Sequence, residues 1–108
     1  MIQDIYPHVY KNAFEPGVKP SNYDIIFSFE EDQVLMKDEH QFYHYYEISK
    51  ESNCYYLFSI DNLKFFLADL TSLNHIKVSF RAMRTFENRM LGFAAITAWQ
   101  LYRWIQDN

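Results

Sequence analysis

The chain has 108 residues, which is enough to bury one hydrophobic core and too few for two domains. Its formal net charge is −4 and its lysines and arginines form no continuous block, so the composition argues against a surface that follows nucleic-acid phosphates. A single cysteine, Cys54, excludes an intrachain disulfide and a cysteine-based zinc ribbon within these residues.

The sequence does not predict export or membrane insertion. The opening decapeptide, MIQDIYPHVY, contains the acidic Asp4 and lacks the apolar core of a signal peptide. No apolar stretch is long enough to cross a bilayer. We therefore expect a cytoplasmic protein with no membrane partner.

Residues 1–22 have an irregular pattern, and residues 23–80 predict a sheet. Four turn-forming residues divide the first segment: Pro7, Pro16, Gly17 and Pro20. Its apolar residues could pack it against the body of the domain: Ile5, Tyr6, Val9, Tyr10 and Phe14. Residues 23–29 (YDIIFSF), the polar turn 30–32 and residues 33–36 (QVLM) then predict an antiparallel hairpin.

A second hairpin is predicted from two aromatic strands, residues 54–60 (CYYLFSI) and 63–67 (LKFFL). Asp61 and Asn62 join them, and both residue types tolerate left-handed backbone. The polar, tyrosine-rich residues 38–53 predict no defined element. Residues 68–77 are expected to hold a short turn or strand.

A long amphipathic helix is predicted from Thr85 or Phe86 to residue 107. Its apolar residues form two adjacent stripes: Met90, Ala94, Ala98, Leu101 and Ile105 in one, and Leu91, Ala95, Trp99 and Tyr102 in the other. Strands followed by a terminal helix predict an α+β fold in a single domain over residues 1–108. We expect a mainly antiparallel or mixed sheet of hairpins with the helix packed on it.

The width of this apolar arc predicts an interface. A small sheet can cover one stripe, so we expect the second, with Trp99 and Tyr102, to contact another surface, most simply in a homodimer. The alternative is that the N-terminal segment folds over this face and leaves a monomer. The helix also lacks a Gly cap, a following Pro and a basic last turn. This is consistent with a boundary between two domains and equally with a terminal helix docked on its own core.

The sequence shows no catalytic constellation. His40 and His44 are four residues apart, as two metal ligands on a helix would be, but the surrounding QFYHYYEI favours strand or coil and no third ligand has a motif spacing. Exposed polar histidines are therefore favoured. Cys54 opens an apolar strand and is expected to be buried and inert.

The acidic residues and glycines also predict no site. Glu30, Glu31 and Asp32 could hold a cation, but a solvated turn is the favoured interpretation. The only glycines are Gly17 and Gly92, so the sequence has no phosphate-binding loop, and the predicted helix contains two acidic residues only, Glu87 and Asp107. The residues by themselves predict a scaffold or binding module without a cofactor.

The C-terminal segment, FAAITAWQLYRWIQDN, resembles the end of the N-terminal domain of the NADH pyrophosphatases, a family of the Nudix hydrolase superfamily. The matching residues are Phe93, Ala94, Ala95, Ala98, Gln100, Leu101, Trp104 and Asn108. The predicted hairpin YYLFSIDNLKFFL, the dipeptide Phe80-Arg81 and the opening MIQDIYPHVYKNAF are similar to that family in a more general way.

The resemblance implies a rudimentary, non-catalytic Nudix-like domain that supports the enzyme and helps to build its homodimer. In the family, a Cys-x-x-Cys zinc ribbon and a catalytic Nudix domain follow, which implies zinc and magnesium or manganese outside these residues. Neither motif occurs here, so no catalytic, cofactor or metal residue carries over. The implied parent cleaves NADH or NAD to a nicotinamide mononucleotide and AMP, with NAD-capped RNA as a further substrate class. The alternative is a stand-alone aromatic-rich domain that binds a partner protein through its terminal helix, and an independent small enzyme is a third interpretation.

Overall fold

The computed structural model describes residues 9–12, 18–48 and 53–107, and this part of the chain has an α+β fold. Its strands are β1 (Tyr10–Asn12), β2 (Ile25–Phe27), β3 (Phe29–Glu30), β4 (Gln33–Met36), β5 (Tyr43–His44), β6 (Tyr55–Ile60), β7 (Leu63–Leu67) and β8 (Ile76–Ser79). A 3₁₀ helix, Tyr45–Glu47, follows β5, a second, Phe80–Thr85, follows β8, and helix α1 spans Arg89–Asp107. The predicted fold class is confirmed.

The described strands form two sheets rather than one. The larger sheet has the order β1-β6-β7-β2-β5 and is mixed, because β2 pairs with β7 in parallel while its other pairs are antiparallel. The smaller sheet has the antiparallel order β3-β4-β8. The sequence correctly predicts hairpins and a mixed sheet, but it does not reveal the division.

The β6–β7 hairpin forms where it was predicted. Asp61 and Asn62 have φ angles of 51° and 70°. Two successive left-handed residues make the kind of tight turn whose twist matches that of the flanking strands. The strands place Phe58 and Phe65 in the main core, with ring centroids 5.1 Å apart.

The predicted strand 23–29 is divided at Ser28, where the chain leaves the larger sheet and enters the smaller one. Ser28 is buried, and its own groups replace the ladder hydrogen bonds that are lost at the crossing. Its carbonyl oxygen accepts from the Leu35 N–H at 2.8 Å, and its Oγ accepts from the Leu70 N–H at 3.2 Å. A buried backbone donor without such a partner would be destabilising.

Helix α1 packs on the main core through small residues. Gly92, Ala94, Ala95 and Ala98 are buried, and a cluster of side chains from both sheets surrounds the alanines. A Cβ atom on Gly92 would lie 2.4 Å from the Met83 carbonyl oxygen, in the 3₁₀ helix Phe80–Thr85. Glycine is therefore required here by the close approach of two backbones.

The helix begins later than the predicted Thr85 or Phe86. Residues 80–85 form a 3₁₀ helix instead, and α1 starts at Arg89. The Asn88 side-chain oxygen accepts from the Leu91 N–H at 3.2 Å, which satisfies one of the free amides at the start of the helix. The local cap thus determines the start of the helix, although the apolar pattern extends further back.

Two further predictions are corrected near the N-terminal side of the fold. Tyr10–Asn12 form a strand that pairs with β6, although residues 1–22 were predicted to be irregular. Cys54 is half-buried and precedes β6, whereas it was predicted to be buried within a strand. Ile5, Tyr6 and Phe14 lie outside the described residues.

Across the described ranges, no helix has both the length and the apolar character needed to span a membrane.

Replacing Gly92 with alanine is expected to lower the free energy of unfolding by about 1–3 kcal/mol. The new methyl group would collide with the Met83 carbonyl, and this outweighs the gain of about 1 kcal/mol in helix propensity. Urea denaturation measures the change. Gln100→Ala, at an exposed position of the same helix, is the control and should change stability by less than about 0.5 kcal/mol. A Gly92→Ala protein as stable as the wild type would contradict the close approach.

Two buried hydroxyl groups should respond to removal in opposite directions. Ser28→Ala leaves the buried Leu70 N–H without an acceptor, so the free energy of unfolding should fall by about 1–3 kcal/mol. The buried Thr97 Oγ1 has no hydrogen-bond partner among the described residues, so Thr97→Val should leave stability unchanged or raise it by about 1 kcal/mol. Thermal denaturation of both variants checks the pair, and a loss of stability in Thr97→Val would show that this hydroxyl is satisfied in solution.

Candidate functional site

The two histidines singled out by spacing line a common cleft of about 240 Å³. The lining residues are Ile25, Lys37, His40, Gln41, Phe42, His44, Tyr46, Glu47 and Leu91. His40 is exposed and His44 is half-buried, with its Nδ1 3.1 Å from the Tyr23 carbonyl oxygen. Across the described ranges, no group of three or more His, Cys, Asp or Glu side chains is arranged to hold a metal ion.

Glu47 organises one wall of this cleft. Its Oε1 accepts from the His44 N–H at 3.0 Å and its Oε2 accepts from the Lys37 ammonium group. Partial burial acts to raise the pKa of Glu47, but these hydrogen bonds and the nearby positive charge outweigh burial and hold the pKa below its usual range. The carboxylate therefore stays ionised and fixes the turn after β5.

An exposed aromatic group borders the same cleft. The Tyr46 ring lies 5.9 Å from the His44 ring, nearly parallel to it, and 5.9 Å from the Tyr23 ring in an edge contact. The Tyr23 and Tyr46 residues are 74% and 56% exposed. Such rings offer apolar area with polar tips, which is a surface suited to contact with a partner.

The acidic turn is solvated, as predicted. Glu30, Glu31 and Asp32 are all exposed, and Glu30 forms an ion pair with Lys77 at 3.0 Å. Besides this ion pair, the backbone of the turn makes two structural contacts. The Glu31 carbonyl oxygen accepts from Trp99 Nε1 at 2.9 Å, and the Asp32 carbonyl oxygen accepts from the Phe80 N–H at 2.9 Å.

Trp99 and Tyr102, the two predicted interface residues, lie half-buried against their own domain. The Trp99 ring is 4.2 Å from the Phe80 ring, and Arg103 Cζ is 4.9 Å from its centre. The Tyr102 ring is 5.4 Å from that of Phe29. Their role in an interface stays a prediction. On the same helix Trp104 is 62% exposed, so it is the tryptophan that a second surface could cover most fully.

A larger cleft of about 590 Å³ lies beside Trp99. It is lined by Asp32, Ser79, Phe80, Arg81, Arg84 and Trp99. Arg81 entered the sequence prediction only through the Phe80-Arg81 resemblance, and neither Arg81 nor Arg84 was predicted to form a site. A signal was nevertheless present, since all four arginines of the chain lie between residues 81 and 103, where Glu87 is the one acidic residue.

Cys54 shows no feature of a nucleophile. Burial raises the pKa of its thiol, which lowers the fraction of reactive thiolate at neutral pH. The sequence predicted a buried, inert thiol; the residue is only half-buried, and its inertness stays a prediction. We assign Cys54 no chemical role in the described part of the chain.

No protein-family model, curated protein or solved structure matches this chain.

Stability should depend on the ionisation of Glu47. Because the folded-state pKa is depressed, its stabilising contribution is fully present above the unfolded-state pKa, about 4.3, and is lost as pH falls through the folded-state value. Glu47→Gln should therefore be less stable than the wild type at pH 7, and the difference should shrink below about pH 4. Urea denaturation of both proteins, from pH 7 to below about pH 4, measures this difference in the free energy of unfolding. The control is Glu39→Gln, at an exposed neighbouring position, and equal behaviour of the two variants would contradict the assignment.

Proposed function

We propose that this chain is the non-catalytic N-terminal scaffold and dimerisation domain of an NADH pyrophosphatase-like Nudix hydrolase. The parent enzyme would cleave NADH or NAD to a nicotinamide mononucleotide and AMP, with NAD-capped RNA as a further substrate class. Its zinc and its magnesium or manganese ions would be held by a zinc ribbon and a catalytic domain beyond these residues. The chain itself would contribute stability and a subunit contact.

The observation that carries the proposal is the division of the family-like residues of α1 into two sets. Ala94, Ala95 and Ala98 are buried in the core, so packing within the domain accounts for them. Gln100 and Trp104 are exposed and stand four residues apart on one helix face. Trp104 remains 62% exposed in this domain, and a neighbouring domain or a second copy would bury that exposed part of the ring.

The alternative function, a stand-alone protein-interaction domain, is favoured by a different observation. Tyr23 and Tyr46 are largely exposed and contact each other beside the cleft that contains His40 and His44. A partner that docks there would use aromatic contacts and need neither a zinc ribbon nor a catalytic domain. The two functions therefore differ in which surface is occupied.

The gene and the purified protein distinguish these functions. A reading frame that continues past Asn108 into Cys-x-x-Cys and a Nudix box, and a full-length product that hydrolyses NADH with magnesium or manganese, would support the proposal. The 108-residue chain should then show no hydrolysis and no stoichiometric zinc. A stop codon after Asn108 would contradict the proposal and favour the stand-alone domain.

Self-association is the second test. If the outer face of α1 forms the subunit contact, light scattering at micromolar concentration should report a dimer, and Trp104→Lys should shift it towards monomer. Tyr55→Lys removes another exposed aromatic residue, on β6, and should leave the dimer intact. Trp99→Lys is less informative, because it also removes the contact with Phe80 and the hydrogen bond to Glu31. A wild-type chain that stays monomeric to its solubility limit would refute the dimerisation role.

A further inference from the structure

We propose that the cleft beside Trp99 binds a small aromatic phosphomonoester, with its phosphate held by Arg81 and Arg84 and its ring placed against Phe80 and Trp99. This site is separate from the outer face of α1 and does not rest on the function proposed above. Its volume of about 590 Å³ lies within the range of small-molecule sites in proteins.

The walls of the cleft are fixed by hydrogen bonds that connect three elements. The β3–β4 turn is joined to the 3₁₀ helix by the Phe80 N–H, which donates to the Asp32 carbonyl oxygen at 2.9 Å. The same turn is joined to α1 by Trp99 Nε1, which donates to the Glu31 carbonyl oxygen at 2.9 Å. A cleft whose walls are already connected loses little conformational entropy when a ligand enters.

The two arginines are brought to one side by the local helix type. A 3₁₀ helix has about three residues per turn, so side chains three positions apart are eclipsed. Arg81 and Arg84 have this spacing within Phe80–Thr85, and both line the cleft. Both are exposed, and no carboxylate of the described residues forms an ion pair with either guanidinium group.

The charge of this pair selects a phosphate over a carboxylate. One guanidinium fork can take both oxygens of a carboxylate, whereas a phosphomonoester has three terminal oxygens and a charge near −2 at neutral pH. Two adjacent guanidinium groups therefore match a phosphomonoester better than a carboxylate. The segment 81–103 carries four arginines against Glu87, so it is locally positive within a chain of net charge −4.

The aromatic part of the ligand is inferred from the remaining walls. Phe80 and Trp99 are half-buried, contact each other at 4.2 Å and also line the cleft, so a flat apolar group can be placed beside them. Asp32 also lines the cleft, and its exposed carboxylate would repel a second anionic group on the ligand. A ligand with one phosphate and a neutral ring fits this combination.

Phenyl phosphate is the probe that tests the site. In a titration at low salt, followed by ¹H–¹⁵N NMR, the Trp99 indole N–H signal should shift to saturation, with assignment from a Trp104→Phe protein. Inorganic phosphate should bind more weakly, because it lacks the ring, and phenol should cause no saturable shift, because it lacks the charge. Arg81→Gln and Arg84→Gln should each raise the Kd by about tenfold or more.

Arg89→Gln is the matched control, because it removes an equal charge from an exposed position that does not line the cleft, and it should leave the Kd within about twofold of the wild-type value. The NMR spectrum of each variant also reports whether it is folded. No saturable shift with phenyl phosphate up to about 10 mM would overturn the proposal. So would an unchanged Kd in folded Arg81→Gln and Arg84→Gln proteins, or equal affinity for inorganic phosphate and phenyl phosphate.

Discussion

The passage of one short segment between two sheets, at Ser28, determines how the described part of the molecule is assembled. β2 pairs in parallel with β7, and β3, directly after Ser28, pairs with β4. Two hydrogen bonds to Ser28, from the N–H groups of Leu35 and Leu70, stabilise the crossing. Because Phe27 and Phe29 on either side both join the main core, the crossing holds the two sheets around a common apolar centre.

The position of α1 follows from this arrangement. Helix α1 approaches the 3₁₀ helix Phe80–Thr85 so closely that Gly92 has no room for a side chain. The alanines of α1 pack into the core formed by both sheets. This packing places the C-terminal half of α1 beside the β3–β4 turn, where Trp99 Nε1 donates a hydrogen bond to the Glu31 carbonyl oxygen. The larger cleft is a consequence, since it forms where the turn, the 3₁₀ helix and α1 meet.

The surfaces that we connect with function are chemically distinct, although they share one helix. The outer face of α1 presents Gln100 and Trp104, which suits a contact with another folded surface. The cleft presents Arg81 and Arg84 beside an aromatic wall, which suits a small anion. Trp99 contributes to the cleft and to the internal packing and is half-buried, whereas Trp104 is 62% exposed, so Trp104 has more surface available for a subunit contact.

The elements that could be predicted from the sequence are those whose causes are local. Asp61 and Asn62 specify the tight turn of the β6–β7 hairpin, and the helical period specifies α1, because both depend on residues close in the chain. Three features depend on long-range contacts instead: the parallel pairing of β2 with β7, the start of α1 at Arg89, and the partial burial of Trp99 while Trp104 stays exposed. Pairing and burial depend on groups that are distant in sequence, such as Glu31 and Phe80 around Trp99, and periodicity carries no information about which distant groups will meet.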